Sequence, residues 1–297
     1  MELNRRQLLF NGACLTAGAV TVKRHRAHSA SAPSQRPKAV LKITSQEGII
    51  PGMGLKEKLD NLEKWGFDGI EFWGGGLRER IPDIKAAMTG RPLAISATCA
   101  GFQGALISDQ PSEREKAVRT IKEILAVAGE LGSTGMIVVP AFSSQTKLNH
   151  IEGRKILMDL LPDIGEHGVK VGSRILLEPL NRGEAWFLRQ LADAGEICKE
   201  VNSPGVCMMG DMYHMYIEEP SDMGAFISGA KWLHHVHLAS VKRNLPGQDE
   251  RDFRDGFRGL KTIGYQDFCS LECSVIGPRE VEIPKAVKFL RRQWAEA

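Results

Sequence analysis

From residue 39 onward, short apolar runs alternate with longer amphipathic stretches. Ala39–Thr44 is the first strand candidate, and Gly54–Trp65 then has helical periodicity and stops at Gly66. Gly69–Trp73 is a second strand that runs into the turn Gly74-Gly75-Gly76, and Leu93–Cys99 is a third. The charged stretch from Ser112 to Leu131 is a long helix, followed by a fourth strand over Gly135–Pro140 and a helix over Glu152–His167. Val171–Glu178 is a fifth strand, with a helix over Trp186–Val201 ending before Pro204. Gly205–Asp211, Trp232–Ala239 and Phe268–Glu272 supply the last three strands, and Ile283–Ala295 the last helix. Eight βα units predict a parallel sheet with right-handed crossovers, and a count of eight favours a closed (β/α)8 TIM barrel.

Length agrees, since 297 residues hold one such barrel with some to spare. No G-x-G-x-x-G follows the first strand, so the dinucleotide argument for an open sheet is missing. The formal charge of +3 is concentrated in the first 32 residues, where Arg5, Arg6, Lys23, Arg24 and Arg26 face only Glu2. The remainder is near neutral and offers no basic stripe to nucleic acid. That N-terminal stretch has the form of an export signal: twin arginines Arg5-Arg6, an apolar run from Leu8 to Val22, and Ala30 and Ala32 at a cleavage position. Residues 1–32 are therefore expected to address the chain to the twin-arginine machinery and the periplasm, or to tether it to the membrane if uncleaved. Residues 33–38 form a linker, and 39–297 the catalytic barrel. The cysteines, with no C-x-x-C spacing, are expected to be free and buried.

Chemistry enters at the strand ends, because the C-terminal ends of barrel strands line the active site. The fifth strand ends in Glu178, the sixth in Asp211, the seventh in His235-Val236-His237 and the eighth in Glu272. Four consecutive strands thus aim Glu, Asp, His and Glu at one rim. Three crowded carboxylates repel unless a cation neutralises them. One nitrogen with three oxygens suits Mn²⁺, Co²⁺ or Mg²⁺, with Zn²⁺ also admissible. Strand alternation puts His235 on the same face as His237 but deeper, as a packing or supporting group, with His237 the ligand. Trp73, closing the second strand, and Phe142, after the fourth, can wall the pocket at that rim.

Glu178-Pro179-Leu180-Asn181-Arg182-Gly183-Glu184 resembles the E-P-x-N-R-x-E signature of the xylose isomerase-like sugar isomerase/epimerase superfamily, in particular its ketose 3-epimerase and hydroxypyruvate isomerase branches. Asp211-Met212-Tyr213-His214-Met215 is similar to the D-x-x-H-M segment of that family. His235-Val236-His237 with Arg243 and Pro246-Gly247 resembles its H-x-H…R…P-G stretch, and Gly264-Tyr265…Ser270-Leu271-Glu272 its final motif. The loop after Pro246-Gly247 departs from the pattern, having Gln248-Asp249 in place of x-Gly, and the charged stretch Gln248–Arg258 is expected to be a solvated helix or a subunit contact. The resemblance implies one divalent metal on Glu178, Asp211, His237 and Glu272, with the two glutamates as acid/base pair on a small ketose or keto acid. It further implies that His214 and Arg243 contact the enolate-side oxygen, that Glu184 meets substrate hydroxyls or orients His214, and that the chain forms a homodimer or homotetramer. A lyase or dehydratase acting on a keto-sugar, keto-glycoside or cyclitol begins with the same proton abstraction and stays open at this level. A multinuclear endonuclease lacks its histidines here, and a pure binding protein has no need of two opposed bases.

Overall fold

The computed structural model describes residues 37–297. The expected export signal, residues 1–32, and residues 33–36 of the linker lie outside them. Eight strands follow in order: β1 (Lys42–Ser45), β2 (Gly69–Trp73), β3 (Ala94–Cys99), β4 (Met136–Val138), β5 (Ile175–Leu177), β6 (Val206–Asp211), β7 (Leu233–Leu238) and β8 (Phe268–Leu271). All pair in parallel, each with its neighbour in sequence, and β8 pairs with β1. The ring closes between β1 and β2 through the parallel bridge Gln46–Glu71 and the bond from Glu47 N–H to Glu71 O. The architecture is a single (β/α)8 barrel.

The two-residue period of the strands sorts side chains into two layers. Ile43, Phe72, Val138, Leu177, Met208, Val236 and Leu271 face outward into the large apolar core beneath the helices. The opposite parity fills the barrel with a smaller cluster, Ala97, Cys99, Ile137, Leu176, Cys207 and Met209. Inward parity continues upward to Glu178, Asp211, His237 and Glu272, so the positions that stack apolar groups deep in the barrel carry polar ones at its mouth.

Helices cover the outside: α1 (Leu55–Trp65), α2 (Ile81–Met88), α3 (Pro111–Glu130), α4 (His150–Lys170), α5 (Leu191–Val201), α6 (Met212–Glu218), α7 (Asp222–Gly229), α8 (Arg254–Ile263) and α9 (Arg279–Glu296). Asn149 and Glu152 form a reciprocal capping box at the start of α4, satisfying N–H groups that the first turn leaves unpaired. The Gly74-Gly75-Gly76 turn is required sterically, since a Cβ on Gly74 would fall on the Ala100 carbonyl oxygen and Gly76 has φ of 69°.

Three expectations are corrected. The strand expected from Val171 begins at Ile175, because α4 runs to Lys170 and unwinds through Gly172 at φ 73°. The helix expected from Trp186 begins at Leu191, where the Glu219 carboxylate accepts the Leu191 N–H. The segment 248–258 is not a solvated helix throughout. α8 starts at Arg254, and Arg251 is buried, its guanidinium 2.6 Å from Asp222 Oδ2 and 3.0 Å from the Met212 carbonyl. The five cysteines of the described residues are free, four of them buried.

At the end of β7 away from the polar mouth, His234 Nδ1 lies 2.8 Å from Asp267 Oδ2. Burial disfavours its charge, but the hydrogen bond to Asp267, helped by Cys207, outweighs that and raises the imidazole to about 9. A folded-state value above the unfolded one of 6.5 means that this pair stabilises fully below pH 6.5 and is lost as pH rises through 9. Melting temperature followed from pH 6 to 10 should therefore fall more steeply in the parent than in Asp267→Asn; parallel curves would show that the pair is not ionised.

Candidate metal centre and active site

Each group at the mouth is set by the element that carries it. Glu178 directly follows β5, where its backbone N–H donates to Val138 O and its side chain is buried against the barrel axis. Asp211 ends β6 and also begins α6: its Oδ1 caps the helix by accepting the Tyr213 N–H at 2.7 Å, which turns Oδ2 toward the axis. His237 stands on β7, and Glu272 directly follows β8.

Ligand atoms of these four residues all lie within 4.8 Å of one another. His237 Nδ1 is 3.2 Å from Glu272 Oε2, 3.8 Å from Glu178 Oε1 and 3.9 Å from Asp211 Oδ2. Donors that share one divalent ion at roughly 2.0–2.2 Å stand about 3–4 Å apart, so the spacing fits. Asp211 Oδ2 and His237 Nδ1 are buried with no hydrogen-bond partner, and both face this point. Such orphaned atoms are rare and are explained by an ion. The donor set, one imidazole and three carboxylates, suits a hard or borderline divalent cation. The residues present fit the metal.

Without a cation the charges are frustrated. Burial and the nearby Glu272 push Glu178 well above the usual carboxylate range, and burial with Glu272 pushes Asp211 up to about 7. Burial also opposes the charge on Glu272, but His237 and Arg243 overcome it and hold that carboxyl well down. His237 is desolvated, yet Glu71 and Glu272 raise it well above its ordinary value. Protons and a cation therefore compete for the same four side chains.

Around the quartet stand the remaining expected residues. His214, on α6, is 1% exposed, and its Nδ1 accepts from the Asn181 backbone N–H at 3.2 Å and lies 2.8 Å from Asn181 Nδ2. That leaves Nε2 as the protonated nitrogen, free of partners and 3.7 Å from Asp211 Oδ2. Burial, with Arg243 beside it, lowers His214 to about 3, so it is a neutral donor at any working pH. Arg243 donates to Glu272 Oε2 at 2.7 Å, lies 3.6 Å from Glu184 Oε1 and rests over the Tyr213 ring. Its φ of 56° is unusual for a residue other than glycine and is held by bonds to Ser240 and Ser274. Glu184 Oε1 accepts from Asn181 Nδ2 at 2.9 Å. Trp73 ends β2 at the rim, 59% exposed, above a cavity of about 350 Å³ shared with Gln46, Glu47, Lys58 and Cys99. Phe142 is half-exposed beyond β4. A larger cavity of about 820 Å³ lies outside the barrel between α3 and α4; it is an open groove lined by charged side chains such as Arg114, Glu115, Arg119 and Lys122, and none of its lining residues belongs to the quartet.

Three residues of this constellation were not singled out from the sequence. Asn181 lies inside the expected motif and fixes the His214 ring. Glu71 carried one signal, a lone carboxylate of inward parity inside an apolar strand, and Gln46 directly follows β1. Arg182 of the same motif anchors the loop instead of entering the site: its backbone N–H and Nε both donate to the buried Glu218 on α6, at 2.6 and 2.8 Å.

Residues 59–293 match the family model described as xylose isomerase-like TIM barrel. A 3-dehydro-D-guloside 4-epimerase of Escherichia coli K12 is 30% identical over 240 residues, covering 78% of this chain and 92% of that one. A ketose 3-epimerase of Arthrobacter globiformis is 26% identical over 84% of this chain and 88% of its own. Among solved structures, a 3-keto-D-glucoside 4-epimerase from E. coli superposes with a TM-score of 0.79 at 27% identity, over 85% of this chain and 100% of the other. The chain belongs to the xylose isomerase-like TIM barrel family.

Proposed function

We propose that the protein is a divalent-metal-dependent epimerase of a keto-sugar, inverting a carbon next to the carbonyl. The observation that carries this reading is the pairing of Glu178 and Glu272 across one centre, each within 4 Å of His237 Nδ1, with two N–H donors beside them. Those donors are His214 Nε2–H and the Arg243 guanidinium. Relatives named as sugar epimerases agree with it and weigh against a lyase. A substrate with a glycosidic substituent is favoured over a free pentose by the 3-dehydro-guloside and 3-keto-glucoside epimerases among them.

Glu178, Asp211, His237 and Glu272 would hold the ion, which supplies Lewis-acid polarisation of the substrate carbonyl and so acidifies the adjacent C–H. Mn²⁺ or Co²⁺ suits the donors best. The two glutamates flank one centre from β5 and β8, Glu178 Oε1 3.8 Å and Glu272 Oε2 3.2 Å from His237 Nδ1. One removes the proton and the other returns one to the opposite face; the reverse reaction exchanges the roles. His214 Nε2–H and Arg243 donate to the oxygen on which negative charge develops, a preorganised arrangement that needs no reorientation. Glu184 holds Arg243 in reach, and Trp73 walls one face of the sugar. Residues 1–32 serve as an export address ahead of the barrel at 39–297, a reading that rests on Arg5-Arg6 and the Ala30/Ala32 pattern.

The test is solvent exchange. Purified protein loaded with Mn²⁺ or Co²⁺ in D₂O, given ketoses, hydroxypyruvate and 3-keto-glycosides, should place deuterium on one carbon and yield its inverted epimer by NMR. Exchange accompanied by loss of water or an alcohol would overturn the assignment in favour of a lyase.

A further inference from the structure

Glu71 is 0% exposed, although it lies between Ile70 and Phe72 in an otherwise apolar strand. Its two oxygens take three side chains. His235 Nε2 lies 2.8 Å from Oε2, His237 Nε2 lies 3.1 and 3.2 Å from the two oxygens, and Gln46 Nε2 donates to Oε1 at 3.0 Å. The same Gln46 nitrogen donates to Glu272 Oε1 at 2.9 Å. One buried carboxylate therefore holds two of the four ligands, His237 directly and Glu272 through a single amide. These contacts meet where the barrel closes, at the Gln46–Glu71 bridge.

We propose that Glu71 is the positioning residue of the metal centre: it holds His237 with Nε2–H toward itself and Nδ1 toward the cation, and through Gln46 it sets the Glu272 carboxylate. An imidazole can offer either nitrogen to a metal, and the hydrogen bond made by the other decides which. Here Nε2 is tied to Glu71 while Nδ1, with no hydrogen-bond partner, faces Glu178, Asp211 and Glu272. His235 occupies Oε2 from beneath and so blocks rotation of the carboxylate, which gives the deeper histidine of β7 its use. Glu71, His235 and His237 also lie close enough to suggest a second ion. Yet their separations of 2.8 to 3.2 Å are hydrogen bonds already made, and the Gln46 N–H aimed at the same oxygen would oppose a cation. The inference rests on the metal centre and not on which sugar is turned over.

The test measures metal binding without substrate. The full chain and its Glu71→Gln and Gln46→Leu variants are stripped with a chelator and titrated with Mn²⁺, the free ion being followed by electron paramagnetic resonance. Glu71→Gln, which keeps the volume, should weaken Mn²⁺ by about 10–100-fold, as loss of a carboxylate behind a metal-bound histidine does. Gln46→Leu should weaken it less. Co²⁺-loaded Glu71→Gln should have an altered visible spectrum, which loss of packing alone would not produce. In Zn²⁺-loaded parent protein with ¹⁵N-histidine, His237 should carry metal on Nδ1 and a slowly exchanging proton on Nε2. A folded Glu71→Gln with parental Mn²⁺ affinity and Co²⁺ spectrum would overturn the proposal, as would His237 metallated on Nε2. If Glu71→Gln does not fold, the parent's nitrogen spectrum decides by itself. A parent that binds Mn²⁺ but exchanges no ketose proton would sink the functional reading and leave this titration to judge the positioning role.

Discussion

Glu272→Gln and Glu178→Gln should each lower the rate of carbon–proton exchange by about 10²–10⁴-fold or more, the usual worth of a positioned acid or base. The substitution retains one oxygen for the metal and keeps the shape, but removes the group that carries the proton. The two variants should fail differently. The variant that has lost the base for a given epimer neither exchanges nor inverts that epimer, whereas the one that has lost only the opposite glutamate retains slow exchange but yields no inverted product. Starting from the other epimer, the two variants trade behaviours. NMR in D₂O separates exchange from inversion, and metal content measured on each variant separates lost chemistry from lost ion. Retention of parental inversion rates by either metal-loaded variant would remove the substituted glutamate from the proton-transfer role and overturn the paired mechanism.

The fold was legible because its signal is periodic. Eight apolar runs separated by amphipathic stretches need no knowledge of partners, and the inward parity of the last four places Glu178, Asp211, His237 and Glu272 on one rim by alternation alone. Boundaries slipped where a local bond outweighed the pattern, as at Leu191, whose N–H is capped by Glu219 from another loop. What the sequence withheld was the supporting shell. Gln46 reaches Glu272 across 226 positions, and Glu71 reaches His235 across 164. A lone Gln or Glu beside or within a strand carries no mark of its partner, and nothing in the chain's local chemistry marks Arg251 as the one buried charged residue of its segment. The ligands are conspicuous as acids ending apolar strands; the residues that aim them become so only once the barrel has closed.

Removing the metal should abolish activity and also destabilise the fold, with a pH dependence opposite to that of ordinary buried carboxylates. An ion bound only by the native state stabilises by RT ln(1 + [L]/Kd), about 2.7 kcal/mol at a hundredfold excess over Kd. For a barrel of this size that is roughly 5–10 °C in melting temperature. The sign with pH follows from the quartet. In the metal-free protein Asp211 is raised from its ordinary 3.8 to about 7, and Glu178 is raised as well. A folded value above the unfolded one means these groups stabilise the metal-free fold below pH 4 and lose that contribution as pH rises through 7. The ion requires the same carboxylates ionised and His237 stripped of the proton its acidic neighbours favour, so its affinity must climb over the same range. Both effects widen the gap between loaded and stripped protein as pH increases. Melting curves with Mn²⁺ and with chelator should therefore lie close together near pH 5 and separate toward pH 8, with proton release on titration at pH 6.5. Equal separation at both pH values would mean that the ion binds somewhere other than Glu178, Asp211, His237 and Glu272.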